Sequence, residues 1–264
     1  MFGARRYHVA YPASSIGLMT KVKAISKPNT AIGLILAAMV CFAWIIVHLY
    51  SLFLHQLSAP LWQTLGLIAL QCWLYVGIFI VAHDTIHGAL VPGKPRINAA
   101  IGTAIMFVYA GFNWKIMAKA HHAHHAESGT ADDPDFNAND PHRFWPWYVK
   151  FFTTYFGIKQ FLVLFGFTLA YIVLGAPYLN TIVMWAVPAI LSSVQLFYFG
   201  TYLTHRHSEP FLDHHNARTN NFPRWLSLLT CFHFGYHHEH HLYPQEPWWR
   251  LPYRKRLSAE GLNS

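Results

Sequence analysis

The chain contains little charge and few cysteines, and both shortages narrow what it can be. Only 11% of its 264 residues are Asp, Glu, Lys or Arg, whereas a typical soluble domain has about 25%. With 54% hydrophobic residues, this composition is typical of membrane proteins. The 3 cysteines form no CxxC pair and no set of four. We therefore expect neither a disulfide framework nor a cysteine-bound iron–sulfur centre.

Other familiar signatures are missing as well. The sequence has no HExxH motif, which argues against a zincin protease. Its apolar segments carry no Glu-x-x-His repeat, the pattern of soluble di-iron bundles. Residues 1–30 are polar and lack an apolar core followed by a cleavage site, so we expect no cleavable signal peptide. Without internal repeats or long linkers, residues 1–264 are predicted to form a single domain.

Four segments are apolar over the roughly 20 residues that a membrane-spanning helix needs. They cover residues 31–54, 62–82, 158–178 and 181–204. The predicted fold is therefore an all-α integral membrane protein with four transmembrane helices and a histidine-rich cap. A fifth apolar segment, 97–112, is short for a span, and we predict that it forms an interfacial or re-entrant helix.

The distribution of basic residues predicts the orientation of these helices. All 19 Lys and Arg fall within residues 5–27, 94–159 and 206–256, and none lies in the connections 55–61 and 179–180. The positive-inside rule makes the basic side cytoplasmic. We expect a multi-pass protein of the cell inner membrane, with both termini and the cap in the cytoplasm. The net charge of +8 then indicates contact with anionic lipid headgroups rather than nucleic acid.

Three histidine clusters carry most of the chemical information. They have the spacings HxxxH at 83–87, HxxHH at 121–125 and HxxHH at 237–241. Because positions i, i+3 and i+4 share one helix face, each cluster directs two or three imidazoles towards one point. Eight such side chains suit two metal ions with about four ligands each. The predicted ligands are His83, His87, His121, His124, His125, His237, His240 and His241.

His205 is a ninth candidate ligand, because it lies at the cytoplasmic end of the fourth predicted span. Asp84 also lies at a span end, where an idle carboxylate is costly, and we predict that it orients a ligand histidine. Four other carboxylates either share that role or are ordinary solvated charges: Asp132, Asp133, Asp135 and Glu239. Weaker candidates for ligands or hydrogen-bond donors are His207, His214, His215 and His233. The histidines expected to lie outside the site are His8, His48, His55, His122, His142 and His238.

The clusters are embedded in distinctive flanking sequences: HDTIHG at 83–88, GTADDPDF at 129–136, HNAR at 215–218, LTCFHFGYHHEHH at 229–241 and PWWRLP at 247–252. With these flanks, the chain from about residue 30 onwards resembles the bacterial β-carotene ketolase (β-carotene 4-oxygenase) family. That family belongs to the membrane fatty acid desaturase and hydroxylase superfamily, to which the histidine spacings alone are specific. Thr204 stands where the family leads us to expect Pro, and Asn137 where it leads us to expect His. Neither departure removes a predicted ligand.

This resemblance implies a non-haem di-iron oxygenase that uses O₂ and electrons from an external, ferredoxin-like donor. It implies that β-carotene enters from the bilayer and gains keto groups at C4 and C4′ of its β-ionone rings. The expected products are echinenone and canthaxanthin, or astaxanthin from hydroxylated carotenoids. The alternatives with the same metal site are a carotenoid 3-hydroxylase and a fatty acid desaturase or hydroxylase. A membrane metal transporter is the alternative of another class, but it needs charges along the spans, and only Asp84 and Lys159 lie near them.

Overall fold

The computed structural model describes residues 29–260, and within this range the chain is helical and forms no strand. The polar segment predicted at 1–30 lies outside the described residues except for its last two positions, as do residues 261–264. The helices are α1 (Thr30–Leu49), α2 (Leu61–Ile86), α3 (Pro95–Ala110), α4 (Trp114–Glu127), α5 (Phe144–Tyr155), α6 (Ile158–Val173), α7 (Tyr178–His205), α8 (Arg224–Cys231), α9 (His237–Leu242) and α10 (Leu251–Ala259).

Three helical segments of the described chain are long and apolar enough to cross a bilayer on their own. They are Thr30–Leu54, which is α1 with a π-helical extension, then α2 and α7. Three of the predicted spans fall on these segments. The fourth, 158–178, falls on α6, which has 16 residues and is bent by 77° from α5. The described chain thus has three candidate spans, or up to five if each bent helix pair counts as one, and the four-span topology stays a prediction.

Helix α2 is the central helix of the bundle. In its most apolar window, 56% of the residues are buried inside the protein, against 17% in α1 and 28% in α7. It packs against α1, α3 and the middle of α7. By contrast, α1 exposes large apolar side chains such as Met39 and Phe42, as a lipid-facing helix does. The last turn of α2 carries His83, which is therefore held by a helix that is supported on several sides.

A sharp bend between α3 and α4 directs the second histidine cluster. The two helices meet at 98°. Gly111 ends α3 in the left-handed region, with φ 67°, and a Cβ at this position would approach Val163 to 2.9 Å. Asn113 then caps α4, its side-chain oxygen accepting from the backbone N–H groups of Lys115 and Ile116. The segment predicted as an interfacial or re-entrant helix, 97–112, is the first half of this bent pair.

Helix α7 contains two π-helical stretches, Thr181–Ala186 and Phe197–Tyr202. Because a π turn accommodates an extra residue, it changes which face the following residues present, and such turns are frequent at functional sites. The second stretch ends three residues before His205, whose side chain is buried.

Candidate metal centre

The predicted ligand histidines come together as two neighbouring groups. The first group consists of His83 and His87 from α2, His121 from α4 and His240 from α9. The second group consists of His124 from α4, His205 from α7, and His237 and His241 from α9. Within each group, one ring nitrogen from every residue lies within 4.8 Å of the others. His125 lies between the groups, with its ring stacked on that of His241.

The nitrogen spacings of the first group match those around a metal ion. Nε2 of His121 lies 2.6 Å from Nε2 of His83, 2.8 Å from Nε2 of His87 and 3.1 Å from Nε2 of His125. The same His125 atom is 3.0 Å from Nε2 of His240. Two nitrogens that each bind one metal at about 2.0–2.1 Å, at right angles, lie about 3 Å apart. His125 therefore fits as a fifth ligand of the first group.

In the second group, His205 presents a nitrogen with a free lone pair. Its Nδ1 lies 2.7 Å from the backbone oxygen of Asn216 and 3.2 Å from Oγ of Ser128. Because a carbonyl oxygen only accepts, Nδ1 must carry the proton. Nε2 is then deprotonated, and it is buried without a hydrogen-bond partner among the described residues. A buried lone pair of this kind is costly unless it binds something, and a metal ion satisfies it.

A carboxylate orients His124, the neighbour of His205 in this group. Both oxygens of Asp133 lie 3.0 Å from Nδ1 of His124. They also accept the backbone N–H groups of Gly129 and Asp135. Burial by itself would raise the pKa of Asp133, but the hydrogen bonds from His124 and the two N–H groups hold it below its usual value. The ionised carboxylate thus keeps the proton of His124 on Nδ1 and leaves Nε2 for a metal.

Asp84 is placed differently from what its proximity to His83 in sequence led us to expect. Its Oδ1 lies 4.0 Å from Nδ1 of His83, too far for a hydrogen bond. Its Oδ2 accepts the backbone N–H of Trp248 at 3.2 Å. The buried carboxylate therefore ties the segment after α9 to the end of α2. That Asp84 orients a ligand histidine stays a prediction, and any such effect on His83 would act across 4.0 Å.

The other three carboxylates have different surroundings. Asp135 accepts a hydrogen bond from Tyr155 and lies 3.9 Å from Nδ1 of His124. Glu239 is buried and accepts from the hydroxyl of Thr219. Asp132 is exposed.

The remaining histidines of the described chain lie outside the two groups. His48 contacts Tyr171 and Gln71, and His55 contacts Thr64, all within the bundle. His122 and His142 are both exposed, although the ring of His122 lies 5.9 Å from that of His87, centroid to centroid. His238 contacts Asp213 at 2.9 Å, beside an exposed loop where Asp213, His214 and His215 converge. His207 stacks on Phe136, and His233 lies against Trp248. His8 lies outside the described residues.

The surroundings of three α9 histidines favour the neutral form of the imidazole. Burial, and then the neighbouring imidazoles, lower the pKa of His237, His240 and His241 well below the usual 6.5. Neutral imidazole is the form that binds metals, and it suits Zn, Cu, Fe and Ni. The residues present therefore fit two metal ions, one in each group.

Three contacts at the site were not anticipated from the sequence. Ser128 and Asn216 position His205 from 77 and 11 residues away. The ring of Phe234 lies 4.5 Å from that of His83 and 4.6 Å from that of His240, centroid to centroid. Periodicity does not reveal such contacts. The only available signal was that these residues lie in or beside the flanks quoted above.

The family of the chain follows from comparison with known sequences. Residues 58–166 and 154–263 match the sequence model of the fatty acid desaturases. The chain belongs to the fatty acid desaturase family. The eight histidines of the two groups, and His125 between them, lie within the matched ranges.

Relatives within this family are named as carotenoid ketolases. The chain is 47% and 46% identical to the β-carotene ketolases of two Paracoccus strains, over 84% and 88% of its length and 92% and 96% of theirs. It is 31% identical to a zeaxanthin 4-ketolase of Chlamydomonas reinhardtii, over 96% of its length and 60% of that protein's. The resemblance to bacterial β-carotene ketolases is thus confirmed.

Proposed function

We propose that the protein is a di-iron membrane oxygenase that introduces keto groups at C4 and C4′ of the β-ionone rings of β-carotene. One observation carries this proposal. Nine histidines converge in two adjacent groups beside the ends of α2 and α7, in a chain whose named relatives at 46–47% identity are β-carotene ketolases. The histidine groups supply a reason for oxidative chemistry, and the relatives supply the substrate.

The donor set fits iron bound by neutral imidazole, and the choice of iron follows from the ketolase relatives. His83, His87, His121, His125 and His240 would hold one ion, and His124, His205, His237 and His241 the other. When bound, such a pair would activate O₂ and oxidise a C–H bond, because neutral ligands leave the metals strongly positive. The chain's own contribution is orientation. Asp133 and the carbonyl of Asn216 set the tautomers of His124 and His205 before any metal binds.

The proposed reaction is two oxidations at one allylic carbon. Two successive hydroxylations at C4 would give a gem-diol, which loses water to form the ketone. Each hydroxylation consumes one O₂, two electrons and two protons, and one oxygen atom leaves as water. The electrons would come from an external, ferredoxin-like donor. Because the two rings of β-carotene are equivalent, echinenone should precede canthaxanthin, and hydroxylated rings would lead to astaxanthin.

The placement of the site suits a rigid, wholly apolar substrate that enters from the bilayer. His83 and His87 lie at the end of α2, and Phe234 provides an apolar ring against His83. Following the positive-inside rule, we infer that this end faces the cytoplasm in the cell inner membrane. The lipid bilayer would then deliver the carotenoid, and the soluble donor would approach from the other side.

A metal transporter is a weaker reading of the same histidines. Within the three long spans of the described chain, the only Asp, Glu, Lys or Arg is Asp84, at the end of α2. A transport path needs polar or charged groups along the spans. Uptake of iron or zinc into vesicles that contain the protein, without oxidation of carotenoid, would favour the transporter.

The proposed function is tested by pigment analysis in a β-carotene-producing host. Expression of the protein should convert β-carotene to echinenone and then canthaxanthin. A His124→Ala variant expressed at the same level is the matched control and should leave β-carotene unchanged. Accumulation of zeaxanthin would instead identify a 3-hydroxylase. New double bonds or hydroxyls in fatty acids, with carotenoids untouched, would identify a desaturase or fatty acid hydroxylase.

A further inference from the structure

A groove of about 550 Å³ lies between α8 and α10, apart from both histidine groups. Its walls combine basic, aromatic and aliphatic side chains. They are Arg224, Trp225, Leu228, His233, Trp249, Pro252, Tyr253 and Arg256. None of these described lining residues is acidic. The proposed function leaves this groove without a role.

Helix α8 indicates where the groove lies relative to the bilayer. With 8 residues it is too short to span a membrane, yet the side chains of Trp225 and Leu229 are 64% and 52% exposed. The opposite side of the helix, at Ser227 and Cys231, is buried in the protein. In a membrane protein, a short helix with one buried face and one exposed apolar face suits the membrane interface. Trp225 in particular is typical of headgroup depth.

The charges in the groove suit a phosphate at that depth. The guanidinium groups of Arg224 and Arg256 line it, and arginine binds phosphate oxygens in a bidentate manner. The carboxylate of Glu260 lies 3.9 Å from Arg256, but both side chains are about half exposed, so this ion pair contributes little. Arg256 therefore remains available to a stronger anionic partner.

We propose that this groove binds the headgroup of an anionic phospholipid. The phosphate lies between Arg224 and Arg256, and the glycerol and first acyl carbons lie against Trp225 and Leu228. The exposed apolar face of α8 favours a lipid over a soluble acidic protein, because Trp225 and Leu229 offer acyl chains an apolar contact that an acidic surface does not match. The inference is independent of the metal chemistry and holds whichever carotenoid or lipid the enzyme oxidises.

The groove is connected to the metal centre through its own wall. Trp249 follows Trp248, whose backbone N–H is bound by Asp84 at the end of α2. A lipid that contacts Trp249 and α10 would therefore also stabilise the segment that Asp84 ties to the end of α2. Bound lipid should stabilise the fold as any ligand of the native state does.

The experiment uses the full-length, metal-loaded protein in a neutral detergent. Native mass spectrometry measures retention of phosphatidylglycerol and of phosphatidylcholine with the same acyl chains. We expect selective retention of phosphatidylglycerol, with a rise in the thermal unfolding temperature. Since a basic side chain near an anionic lipid contributes about 5-fold in affinity, Arg224→Gln/Arg256→Gln should bind about 30-fold more weakly.

The matched control is Arg96→Gln/Arg143→Gln, which removes the same charge from exposed positions outside the groove and should bind like the wild type. If the double groove variant does not fold, Arg256→Gln alone should still lose about 5-fold in lipid affinity, and it should fold because this side chain is half exposed.

Equal retention of the two lipids, or equal loss in both double variants, would overturn the proposal. So would displacement of the lipid by inorganic phosphate. A further outcome would also overturn it: the double groove variant loses binding to an acidic ferredoxin but retains lipid like the wild type. The groove would then be a docking site for a redox protein.

Discussion

Asp133 holds His124 with both of its carboxylate oxygens at 3.0 Å from Nδ1. The two residues are nine positions apart, and the loop between them folds so that Gly129 and Asp135 also donate to the carboxylate. His124 is consequently fixed in position and in tautomer before a metal arrives. The second histidine group is thereby preorganised by a residue that is not itself a predicted ligand.

We therefore expect Asp133→Asn to weaken the second metal site. An amide can still accept a hydrogen bond but loses the charge, and such substitutions typically cost about 10–100-fold in metal affinity or activity. Iron content and ketone formation measure the effect. Asp132→Asn is the control, because this neighbouring side chain is exposed. Equal losses in both variants would contradict the assigned role.

We expect His205→Ala to remove iron mainly from the second group. The structure gives His205 a buried, unpartnered Nε2, so its loss should lower the iron content from two ions per chain towards one and abolish oxidation. Elemental analysis after gentle purification tests this. His207→Ala is the control. His207 lies two residues away and its side chain is exposed, so this variant should retain both ions. Full iron and activity in His205→Ala would show that it is a structural residue.

Asp84→Asn is predicted to weaken the first metal site without abolishing metal binding. The substitution keeps an acceptor for the Trp248 N–H but replaces the carboxyl group 4.0 Å from Nδ1 of His83. Reduced activity with retained thermal stability would indicate an electrostatic effect on His83. Unchanged kinetics and iron content would leave Asp84 only the role of tying Trp248 to α2.

Acidification should release the metals and destabilise the protein. In the folded chain the pKa values of His237, His240 and His241 are lowered, whereas in the unfolded chain they return to about 6.5. Below that pH the unfolded state binds more protons, so stability that is present above about pH 6.5 is lost as the pH falls. Thermal unfolding of the metal-free protein between neutral and acidic pH measures this. A flat profile would mean that these imidazoles are not buried.

Topology is tested by labelling single introduced cysteines in intact cells. We expect residues 94 and 140 to report the cytoplasmic side, and residue 57, in the connection before α2, the opposite side. The α3–α4 pair would then be re-entrant, as its 98° bend permits. Opposite sides for residues 94 and 140 would mean that this pair crosses the membrane. That result would place residue 94, which follows the end of α2 that carries His83, on the opposite side of the membrane from the loop that carries Asp133.

Local patterns in the sequence were sufficient to predict the apolar helices and the histidines of each cluster. Both depend on short-range geometry. The length of an apolar run decides whether a helix reaches across a bilayer, and the i, i+3, i+4 spacing decides which imidazoles share a face. Composition likewise indicated a membrane protein, because too few charges remain to cover a soluble surface.

Only the tertiary structure decided how the histidines are divided. His121 and His124 lie on the same face of α4, yet they belong to different groups. The adjacent His240 and His241 of α9 are also divided between the two groups. The division depends on how α4 and α9 cross the end of α2, which is set by the bend at Gly111 and by contacts between distant residues. The orienting carboxylate also follows from tertiary structure. Asp84, adjacent to a histidine, stays 4.0 Å away from it, whereas Asp133 reaches its partner because the backbone N–H groups of a folded loop hold it there.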